Sequence, residues 1–581
     1  MTKILDLRKK FSYRFLEAFL GLFSISFLLI LIILAIFEPV ILAIFLIGYS
    51  FFMVLKVGVH GIYTIYTYKN LLRWETVNWQ ELLNNMDVNP EMALDTLQKL
   101  KNKHDTKIGW QEKLESDIKQ FSKLQNSKYK NPLDIIQIPL FAVYDEDGKI
   151  LARSLKQIYE SGYPLDKIVV FLSQEARAGA AHHLQLLEVL RQQNWLNLEV
   201  IEEGNQDILY NPNHDSFDYL NPVFTNFKIS KDKLNIIITY HPDGLSGEIK
   251  GKASNEDWAG RQASLFIKAK QWDPEMVVLT SLDADSRVGD NFFQMLSYRF
   301  CLTPERHSSG FQPLPVYTNN FFSSNLFPRL VATNTTIWYM IQSSLLDELH
   351  FFANYCVPLT VLRKIDFWNR EVIAEDSLLF AKCFVGFEGN FHVIPFYGTF
   401  EGDAVEGEDY IEAIINQYKQ LQRWAWGGIE GFPYKFYKFF LDPEGKKIEL
   451  RKRIKMIRLE FLNHFFWATL PLVFSIVIFL PNIFGSQEYK ESSIQLNLWI
   501  FGQYFTWLSF IFLVIASYIT YTYIAVRATK NMPVKWYHWV IVSFQWIVSP
   551  TIFVFMGPPA IDVQIRGILG KYLGYWVTPK K

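Results

Sequence analysis

Two aspartates one residue apart, Asp283 and Asp285, are the residues of this sequence that most directly suggest chemistry. They follow the apolar run 276–281, which has the length and the β-branched content of a buried strand. Carboxylates at the end of a buried strand offer hard oxygen ligands, which suit Mg²⁺ or Mn²⁺ held together with phosphate groups. The pair therefore predicts a divalent metal site. Acidic turns of this kind also occur on protein surfaces, so the prediction depends on the residues around it.

Composition favours a chain with both a membrane part and a soluble part. Half of the 581 residues are hydrophobic and 20% are charged, which is too apolar for a simple soluble enzyme and too charged for a pure membrane bundle. The net charge is zero, so nothing indicates nucleic-acid binding. The three cysteines are scattered and form neither a zinc pattern nor a disulfide framework.

The apolar stretch 20–55 is too long for one membrane span, because as a helix it would measure about 54 Å against roughly 30 Å of hydrocarbon. Glu38-Pro39 lies at its midpoint, and proline interrupts a helix. We therefore expect a hairpin of two spans, about 20–37 and 39–57, rather than a cleaved signal peptide. Basic residues flank the hairpin on both sides: Lys3, Arg8, Lys9, Lys10, Arg14, Lys56, Lys69 and Arg73. The positive-inside rule then predicts a multi-pass protein of the plasma membrane with its soluble domain in the cytoplasm.

The C-terminal part contains three further apolar segments, 461–481, 492–526 and 536–561. The first two are expected to span the membrane. The third is interrupted by Pro550 and by Gly557-Pro558-Pro559, so it is either a third span or a re-entrant segment. Charge counts favour the re-entrant form slightly, because it keeps the basic tail on the same side as the other basic loops. The residues counted are Arg527, Lys530 and Lys535 before the segment, and Arg566, Lys571, Lys580 and Lys581 after it.

Between the apolar regions the pattern alternates between strands and helices. Strand-like runs lie at 135–143, 168–172, 198–201, 234–240 and 276–281, and helical periods at 151–159, 180–191 and 258–269. Such alternation predicts an α/β fold with a mostly parallel sheet and helices on both faces, inserted between N- and C-terminal transmembrane helices. Ligands of such sheets bind beyond the carboxyl ends of the strands.

The predicted organisation has five parts. They are a basic N-terminus with the hairpin (1–73), a polar helical spacer that packs on the membrane or on the catalytic domain (74–133), the catalytic domain (134–430), a basic interfacial segment (431–458) and the C-terminal transmembrane region (459–581).

Six short motifs occur in a recognisable order. They are Tyr144-Asp145-Glu146, Lys250-Gly251-Lys252-Ala253-Ser254-Asn255, Asp283-Ala284-Asp285, Gln312-Pro313, Glu375-Asp376 and Gln420-x-x-Arg423-Trp424. This series resembles the family 2 membrane glycosyltransferases, which include cellulose, hyaluronan and poly-N-acetylglucosamine synthases. The resemblance covers about 134–430, and the flanking spans also follow the family's arrangement. It implies a nucleotide-sugar-binding fold of the GT-A type and an inverting sugar transfer.

The resemblance also implies which residues bind the sugar donor. Residues at six positions are expected to line this site: Tyr144, Glu146, Glu175, Lys252, Asn255 and Asp283. Asp285, with Asp283, is expected to hold Mg²⁺ or Mn²⁺. Two departures from the family pattern concern the residues expected to bind the nucleotide base. Ala142 replaces a proline, and Ser173-Gln174-Glu175 replaces an Asp-Asp-Gly motif. Lys250-Gly251-Lys252 is not a phosphate-binding P-loop, because the spacing and the following Ala253 do not fit that motif.

Inverting transfer needs a base that takes a proton from the attacking hydroxyl. Asp376 matches the aspartate of the family's Thr-Glu-Asp motif, and the resemblance implies that it is this base, with Glu375 in a supporting role. Without the resemblance, the two acids would be interpreted as ordinary capping of a helix N-terminus. Gln420, Arg423 and Trp424 share one face of a predicted helix at about 409–426. The resemblance implies that Arg423 neutralises the diphosphate and that Trp424 offers a flat platform to an acceptor sugar.

Gln420 and Gln312 are expected near the acceptor as well, by the same resemblance. The prediction is thus an integral membrane glycosyltransferase that uses a nucleotide-sugar donor, a glycan or lipid acceptor and the surrounding membrane lipid. Two alternatives remain open: an enzyme that glycosylates a lipid once rather than extending a polymer, and a non-catalytic subunit that binds a nucleotide or a sugar. Nucleotide-sugar turnover would separate the second alternative from an enzyme.

Overall fold

The computed structural model describes residues 4–103, 110–201, 222–529, 535–574 and 576. Four lysines used in the topology prediction lie outside these ranges: Lys3, Lys530, Lys580 and Lys581. The chain divides into two units. The first, here called the helical unit, comprises Met1–Lys69, Val316–Glu348 and Asp403–Lys580. The second, the sheet unit, comprises Asn70–Pro315 and Leu349–Gly402. Segments 316–348 and 403–430 of the predicted catalytic stretch therefore belong to the helical unit.

A sheet of nine described strands forms the centre of the sheet unit. The strands are β1 Ile136–Val143, β2 Val169–Glu175, β3 Leu196–Ile201, β4 Leu234–His241, β5 Val277–Leu282, β6 Arg287–Val288, β7 Ser309–Val316, β8 Tyr355–Pro358 and β9 His392–Glu401. Their order in the sheet is β3-β4-β2-β1-β5-β8-β7-β9-β6. The first five strands in this order run parallel, and β8 pairs antiparallel with β5.

The predicted α/β fold class, with helices on both sides of the sheet and apolar helices at both ends of the chain, is confirmed. The sheet is mixed rather than mostly parallel, because β8 pairs antiparallel with β5 and β7, and β6 pairs antiparallel with β9. All five predicted strands are present, as β1 to β5. Four of them, β1, β2, β4 and β5, were predictable because they are largely apolar runs, as expected for strands buried on both faces. β3 contains Asn197 and Glu199 and is only partly buried. The antiparallel strands were not predicted. The two shortest, β6 and β8, have only two and four residues, too few to show a period.

The helices of the sheet unit include the three that were predicted. In chain order the helices are Trp79–Val88, Pro90–Lys103, Trp110–Leu124, Gly148–Tyr159, Ala180–Arg191, Pro222–Asn226, Lys252–Ala269, Phe292–Leu302, Leu359–Ile365 and Glu375–Gly386. Lys252–Ala269 is longer than its predicted counterpart and is buried over almost its whole length, packing against β1 and β2. Because of its length, its N-terminus reaches the carboxyl end of the strands.

The spacer helices pack on the rest of the sheet unit, through helix Phe292–Leu302. The contact centres on a buried ion pair. Arg299 donates from Nη1 to Asp117 Oδ1 at 2.9 Å and from Nη2 to Oδ2 at 3.1 Å, and the Tyr298 hydroxyl donates to the same carboxylate. Two-point geometry of this kind fixes the angle between the paired groups as well as their distance.

The helical unit contains the helices Ile4–Leu7, Phe11–Phe37, Pro39–Glu75, Leu326–Gln342, Tyr410–Phe436, Leu450–Ser475, Leu480–Phe484, Gln487–Lys490, Ser493–Ala528, Trp536–Val548 and Phe553–Leu569; Pro39–Glu75 continues into the sheet unit. Within the described ranges, four helical segments are long and apolar enough to cross a membrane: Phe11–Phe37, Pro39–Glu75, Leu450–Phe484 and Ser493–Ala528. The predicted break at Glu38 is present, with Glu38 at φ −139° and ψ 59° and the next helix starting at Pro39. These helices indicate association with a membrane.

The last apolar segment is divided. Helices Trp536–Val548 and Phe553–Leu569 are separated by the short turn Ser549–Ile552, which contains Pro550. Neither helix is among the four segments long and apolar enough to cross a membrane. The choice between a third span and a re-entrant segment therefore stays a prediction.

The helix predicted at about 409–426 is longer than expected. It begins at Tyr410, where the Asp409 side chain accepts a hydrogen bond from the Glu412 backbone N–H at 2.8 Å, and it ends at Phe436. The predicted end was too early because Gly427 and Gly428, which usually mark a terminus, are buried within the helix here. The His464 ring lies close to Gly428, where a larger residue would clash with it.

Asp117→Asn tests how the spacer is held. The change keeps the shape of the side chain but leaves the buried Arg299 without its carboxylate, so we expect the free energy of unfolding to fall by about 3–5 kcal/mol. Thermal unfolding of the detergent-solubilised protein would measure the loss. Asp95→Asn is the matched control, because Asp95 pairs with Lys99 on an exposed surface. Equal shifts for the two variants would contradict the structural role of the Asp117–Arg299 pair.

Candidate active site

The carboxyl ends of three neighbouring parallel strands lie at one edge of the sheet. In the register, Phe141 of β1 is opposite Leu282 of β5, and Ala142 of β1 is opposite Ser173 of β2. Tyr144, Glu175 and Asp283 lie at or directly after these ends. The structure thus places the predicted donor residues of the three strands along a single edge, where ligands of parallel sheets bind.

The Lys252 ammonium is the centre of a cluster of acids at this edge. Its Nζ lies 2.9 Å from Asp283 Oδ1, 3.3 Å from Glu375 Oε1 and 3.6 Å from Glu256 Oε1. Lys252 begins its helix, Glu375 begins another, and Asp283 follows β5. One cation therefore connects three elements that are far apart in sequence.

Burial and charge act against each other in this cluster. Burial raises the pKa of Glu375 to about 8, and the neighbouring Asp376 adds to the shift while Lys252 opposes it. Burial likewise raises the pKa of Glu256. Burial disfavours the charge of Lys252, but the surrounding carboxylates, with Asp283 foremost, hold its pKa well above the ordinary value. Lys252 is thus a permanent cation at neutral pH.

Glu256 was not predicted from the sequence. Its carboxylate accepts hydrogen bonds from the Ser281 hydroxyl and, at 3.1 Å, from the Tyr355 hydroxyl, which in turn accepts from Trp368 Nε1 at 2.7 Å. The sequence did contain a sign of it, because Glu256 lies four residues after Lys252, on the same helix face. It helps to fix the ammonium in place.

Asp376 and Asp283 are linked by a short loop. The Ala353 backbone N–H donates to Asp376 Oδ2 at 3.0 Å, and the next residue, Asn354, accepts at Oδ1 from the Asp283 backbone N–H at 3.2 Å. The other oxygen of Asp376 accepts from the Ser377 N–H at 2.6 Å. Ala353 has φ 48°, an unfavourable region for alanine, which persists only where the surroundings enforce it.

Gln312 holds this loop. Its Nε2 donates to the carbonyls of Asn354 at 2.9 Å and of Phe352 at 3.1 Å, and its Oε1 accepts from the Phe352 N–H at 3.1 Å. The side chain is buried, so in this structure its amide serves to position the loop. The contact of Gln312 with an acceptor stays a prediction.

A second cluster lies at the ends of β1 and β2. The Arg177 guanidinium lies 4.1 Å from the centre of the Tyr144 ring and forms an ion pair with Glu175, with Nη2 3.0 Å from Oε1. Glu146 accepts from the Tyr144 backbone N–H at 2.7 Å. Asn255 donates to the Ser173 carbonyl at 2.9 Å and so braces the end of β2. Arg177 was not singled out in the sequence, although it lies two residues after Glu175.

The two candidate metal ligands differ in exposure. The Asp285 residue is only 5% exposed, whereas the Asp283 side chain is 37% exposed and faces Lys252. Within the described part of the chain, no group of three or more His, Cys, Asp or Glu side chains is arranged to hold a metal ion. Two carboxylates do suit Mg²⁺ or Mn²⁺ when phosphate oxygens complete the coordination, so the donor set fits such an ion.

Gln420, Arg423 and Trp424 belong to the helical unit, on helix Tyr410–Phe436. Gln420 accepts from Gln417 Nε2 at 2.9 Å, and Arg423 Nη1 donates to the Trp576 carbonyl at 3.4 Å. Trp424 is partly buried against an apolar cluster whose members include Phe321, Leu421, Tyr521 and Ile524. At least part of the Trp424 ring therefore serves packing within the unit.

Glu375→Gln tests the electrostatics of the Lys252 cluster. A carboxyl whose pKa is about 8 in the folded protein but roughly 4.3 in the unfolded chain keeps its proton longer when folded. Its contribution to stability is therefore full below about pH 4 and is lost as the pH rises towards 8. We expect the melting temperature of the Gln variant to fall less over this range than that of the wild type. Glu188→Gln, at an exposed helix position, should leave the pH profile unchanged, and a wild-type profile in the Glu375 variant would contradict the prediction.

Comparison with known proteins gives one family. The model described as Glycosyl transferase family group 2 matches residues 278–556. Among solved structures, the mannosyltransferase PcManGT from Pyrobaculum calidifontis, in complex with GDP-Man and Mn²⁺, is 11% identical, with a TM-score of 0.38 over 75% of this chain and 88% of that chain. TarS 1–349 from S. aureus is 11% identical, with a TM-score of 0.31 over 75% of this chain and 93% of that chain. A search of curated proteins gives no match.

The family match begins within β5 and includes the Asp283/Asp285 pair, Glu375-Asp376 and Arg423. The candidate residues of the donor site before position 278 lie outside it. Residues 278–556 match glycosyl transferase family group 2, and the chain is a glycosyltransferase.

Proposed function

We propose that this glycosyltransferase is an integral membrane enzyme that moves a sugar, with inversion, from a nucleoside diphosphate sugar to a hydroxyl acceptor. The observation that carries the proposal is the cluster at the sheet edge, where Lys252 holds Asp283 next to Glu375. Asp283, which is proposed to bind the donor, thereby lies next to Glu375 of the Glu-Asp pair that is proposed to activate the acceptor. The product would be a polysaccharide or a glycolipid.

The donor would bind along the edge formed by β1, β2 and β5. In the proposed arrangement the nucleotide base is held by Tyr144, Glu146 and Glu175, with Asn255 beside them. A bound Mg²⁺ or Mn²⁺, held by Asp283 and Asp285, would supply neutralisation of the diphosphate charge. Lys252 lies next to Asp283 and adds a fixed positive charge at the same place.

Arg177 affects how the nucleotide base of the donor would bind. Its guanidinium covers a face of the Tyr144 ring, which is the flat surface that a base would stack on. Its ion pair with Glu175 occupies the carboxylate proposed to bind the base. A nucleotide that uses both residues must therefore displace Arg177 or bind against it.

Asp376 is the proposed general base, which would take the proton from the attacking hydroxyl. Its two oxygens accept from the backbone N–H groups of Ala353 and Ser377, and such bonds stabilise a carboxylate in its ionised form, which a base requires. These bonds also fix the direction of the carboxylate relative to Asp283, because Ala353 and Asn354 are consecutive residues of one loop. Glu375 would support Asp376 by its contact with Lys252.

Two residues of the helical unit, Arg423 and Trp424, also have roles in the proposed reaction. Arg423 is proposed to stabilise the leaving diphosphate and Trp424 to hold the acceptor sugar, with Gln420 and Gln312 near the acceptor. The support for these roles is the sequence Gln420-x-x-Arg423-Trp424 within the family match.

The proposed location is the plasma membrane, with the sheet unit in the cytoplasm. Four long apolar helical segments support insertion in a membrane, and the basic residues around the first two support this orientation. The four such segments found within the described residues are few for a channel that exports a polymer. A single transfer to a lipid acceptor is therefore the second candidate, and product analysis by mass spectrometry after incubation with a panel of nucleotide sugars would separate the two.

Asp376→Asn is the main test. Removal of a general base should lower the transfer rate by about 10²-fold or more while nucleotide affinity stays nearly unchanged, because the amide keeps the shape of the side chain. Transfer would be followed by mass spectrometry and affinity by nucleotide titration. Asp232→Asn, in an exposed turn before β4, is the control and should transfer normally. If Asp376→Asn lost nucleotide binding and thermal stability together, the residue would be a helix cap rather than the base.

The metal is tested at Asp285. We expect EDTA to abolish transfer, Mn²⁺ or Mg²⁺ to restore it, and Asp285→Asn to leave less than about a tenth of the activity, since one of two protein ligands is changed. Electron paramagnetic resonance of Mn²⁺ in the presence of a nucleoside diphosphate gives a readout besides activity. Undiminished transfer in EDTA, or unchanged Mn²⁺ binding by the variant, would rule out this metal site.

A further inference from the structure

The first three turns of helix Leu450–Ser475 combine basic and apolar residues in an unusual way. This stretch reads Leu-Arg-Lys-Arg-Ile-Lys-Met-Ile-Arg from Leu450 to Arg458, and it follows the exposed Lys446 and Lys447. The helix Leu450–Ser475 is the first part of the segment Leu450–Phe484, which is long and apolar enough to cross a membrane. In the proposed membrane-inserted protein, the basic stretch would lie where that segment meets the membrane surface.

The exposed side chains of this stretch form one face. At about 100° per residue, Leu450, Ile454, Arg458, Arg451 and Lys455 fall within an arc of about 140° around the helix axis. We call these five residues the basic arc. Leu450 and Ile454 are 53% and 49% exposed, and Arg451 and Arg458 are exposed as well.

The opposite face is occupied. Met456 and Glu460, which point away from the basic arc, are buried, and Glu460 forms an ion pair with Lys435. Packing of the helix within its unit therefore fixes which face is presented outward. The basic arc is the face left for another partner.

The arc holds more positive charge than its surroundings neutralise. Among the described residues, no ion pair involves Arg451 or Arg458. Lys455 lies 3.4 Å from Asp347, whose side chain is 85% exposed, and such a surface pair is weak. Glu449 is the nearest acid in sequence and lies outside the arc.

We propose that the basic arc binds the phosphate-bearing headgroups of anionic lipids. Leu450 and Ile454 would enter the boundary between headgroups and acyl chains, and Arg451 and Arg458 would bind phosphate oxygens in the two-point geometry that guanidinium favours. Clusters of basic residues directly beside a membrane span bind anionic lipid in this way. A soluble anion would use the arginines but would gain nothing from the two exposed apolar side chains. The proposal does not depend on the proposed sugar transfer.

The test measures binding of a fluorescent phosphatidylglycerol to the full-length protein in neutral detergent, with the matching phosphatidylcholine for comparison. We expect clear preference for phosphatidylglycerol. The double variant Arg451→Gln, Arg458→Gln should lower its affinity about 25-fold, at roughly fivefold per basic residue. Arg153→Gln, Arg191→Gln is the matched control, because it makes the same charge change at exposed positions of the sheet unit.

Three further measurements complete the design. Ile454→Ser should weaken lipid binding, and soluble glycerol phosphate should compete poorly, because both remove the apolar contribution. Arg451→Lys, Arg458→Lys should recover part of the affinity, which a merely misfolded variant would not do. Equal loss in the control pair, equal binding of the two lipids, or full competition by glycerol phosphate would each overturn the proposal. Sugar transfer is expected to persist in all these variants in detergent, so failure of either proposal can be recognised separately.

Discussion

The sheet edge depends on one buried cation. Asp283, Glu256 and Glu375 converge on Lys252, and without its charge these carboxylates would repel one another in a region where burial already disfavours them. The ammonium draws the start of helix Glu375–Gly386 towards the end of β5. The position of Asp376 follows from that contact, because it is the next residue of the same helix.

A different set of ion pairs fixes the helix that carries Arg423. Within the helical unit, Glu430 accepts from Arg8 Nη2 at 3.1 Å, and Lys435 Nζ lies 2.6 Å from Glu460. Both pairs are almost fully buried, where the loss of one partner would strand a charge. Helix Tyr410–Phe436 is thereby tied to the N-terminal segment and to helix Leu450–Ser475. These contacts lie about two and three turns beyond Arg423 and help to fix the orientation of the helix within the unit.

Compensated and exposed charges serve different purposes in this protein. In the sheet unit the cation at the centre is surrounded and its charge is compensated by several acids. On the outer face of helix Leu450–Ser475, in contrast, Arg451 and Arg458 are exposed beside apolar side chains. Compensated charges hold a protein together, whereas exposed uncompensated charges beside a membrane segment attract oppositely charged headgroups.

The sequence by itself determined the parallel half of the sheet, the break at Glu38 and the order of the motifs. Continuous apolar runs, proline geometry and short residue patterns are local properties, and they were readable without knowledge of contacts. Tertiary structure alone decided that Gln312 holds the loop beside Asp376, that Glu256 joins the Lys252 cluster and that Arg177 covers Tyr144. It also decided the antiparallel strands and the length of helix Tyr410–Phe436. These features rest on pairings between residues distant in sequence, and no local pattern encodes which distant partner a buried polar group will find.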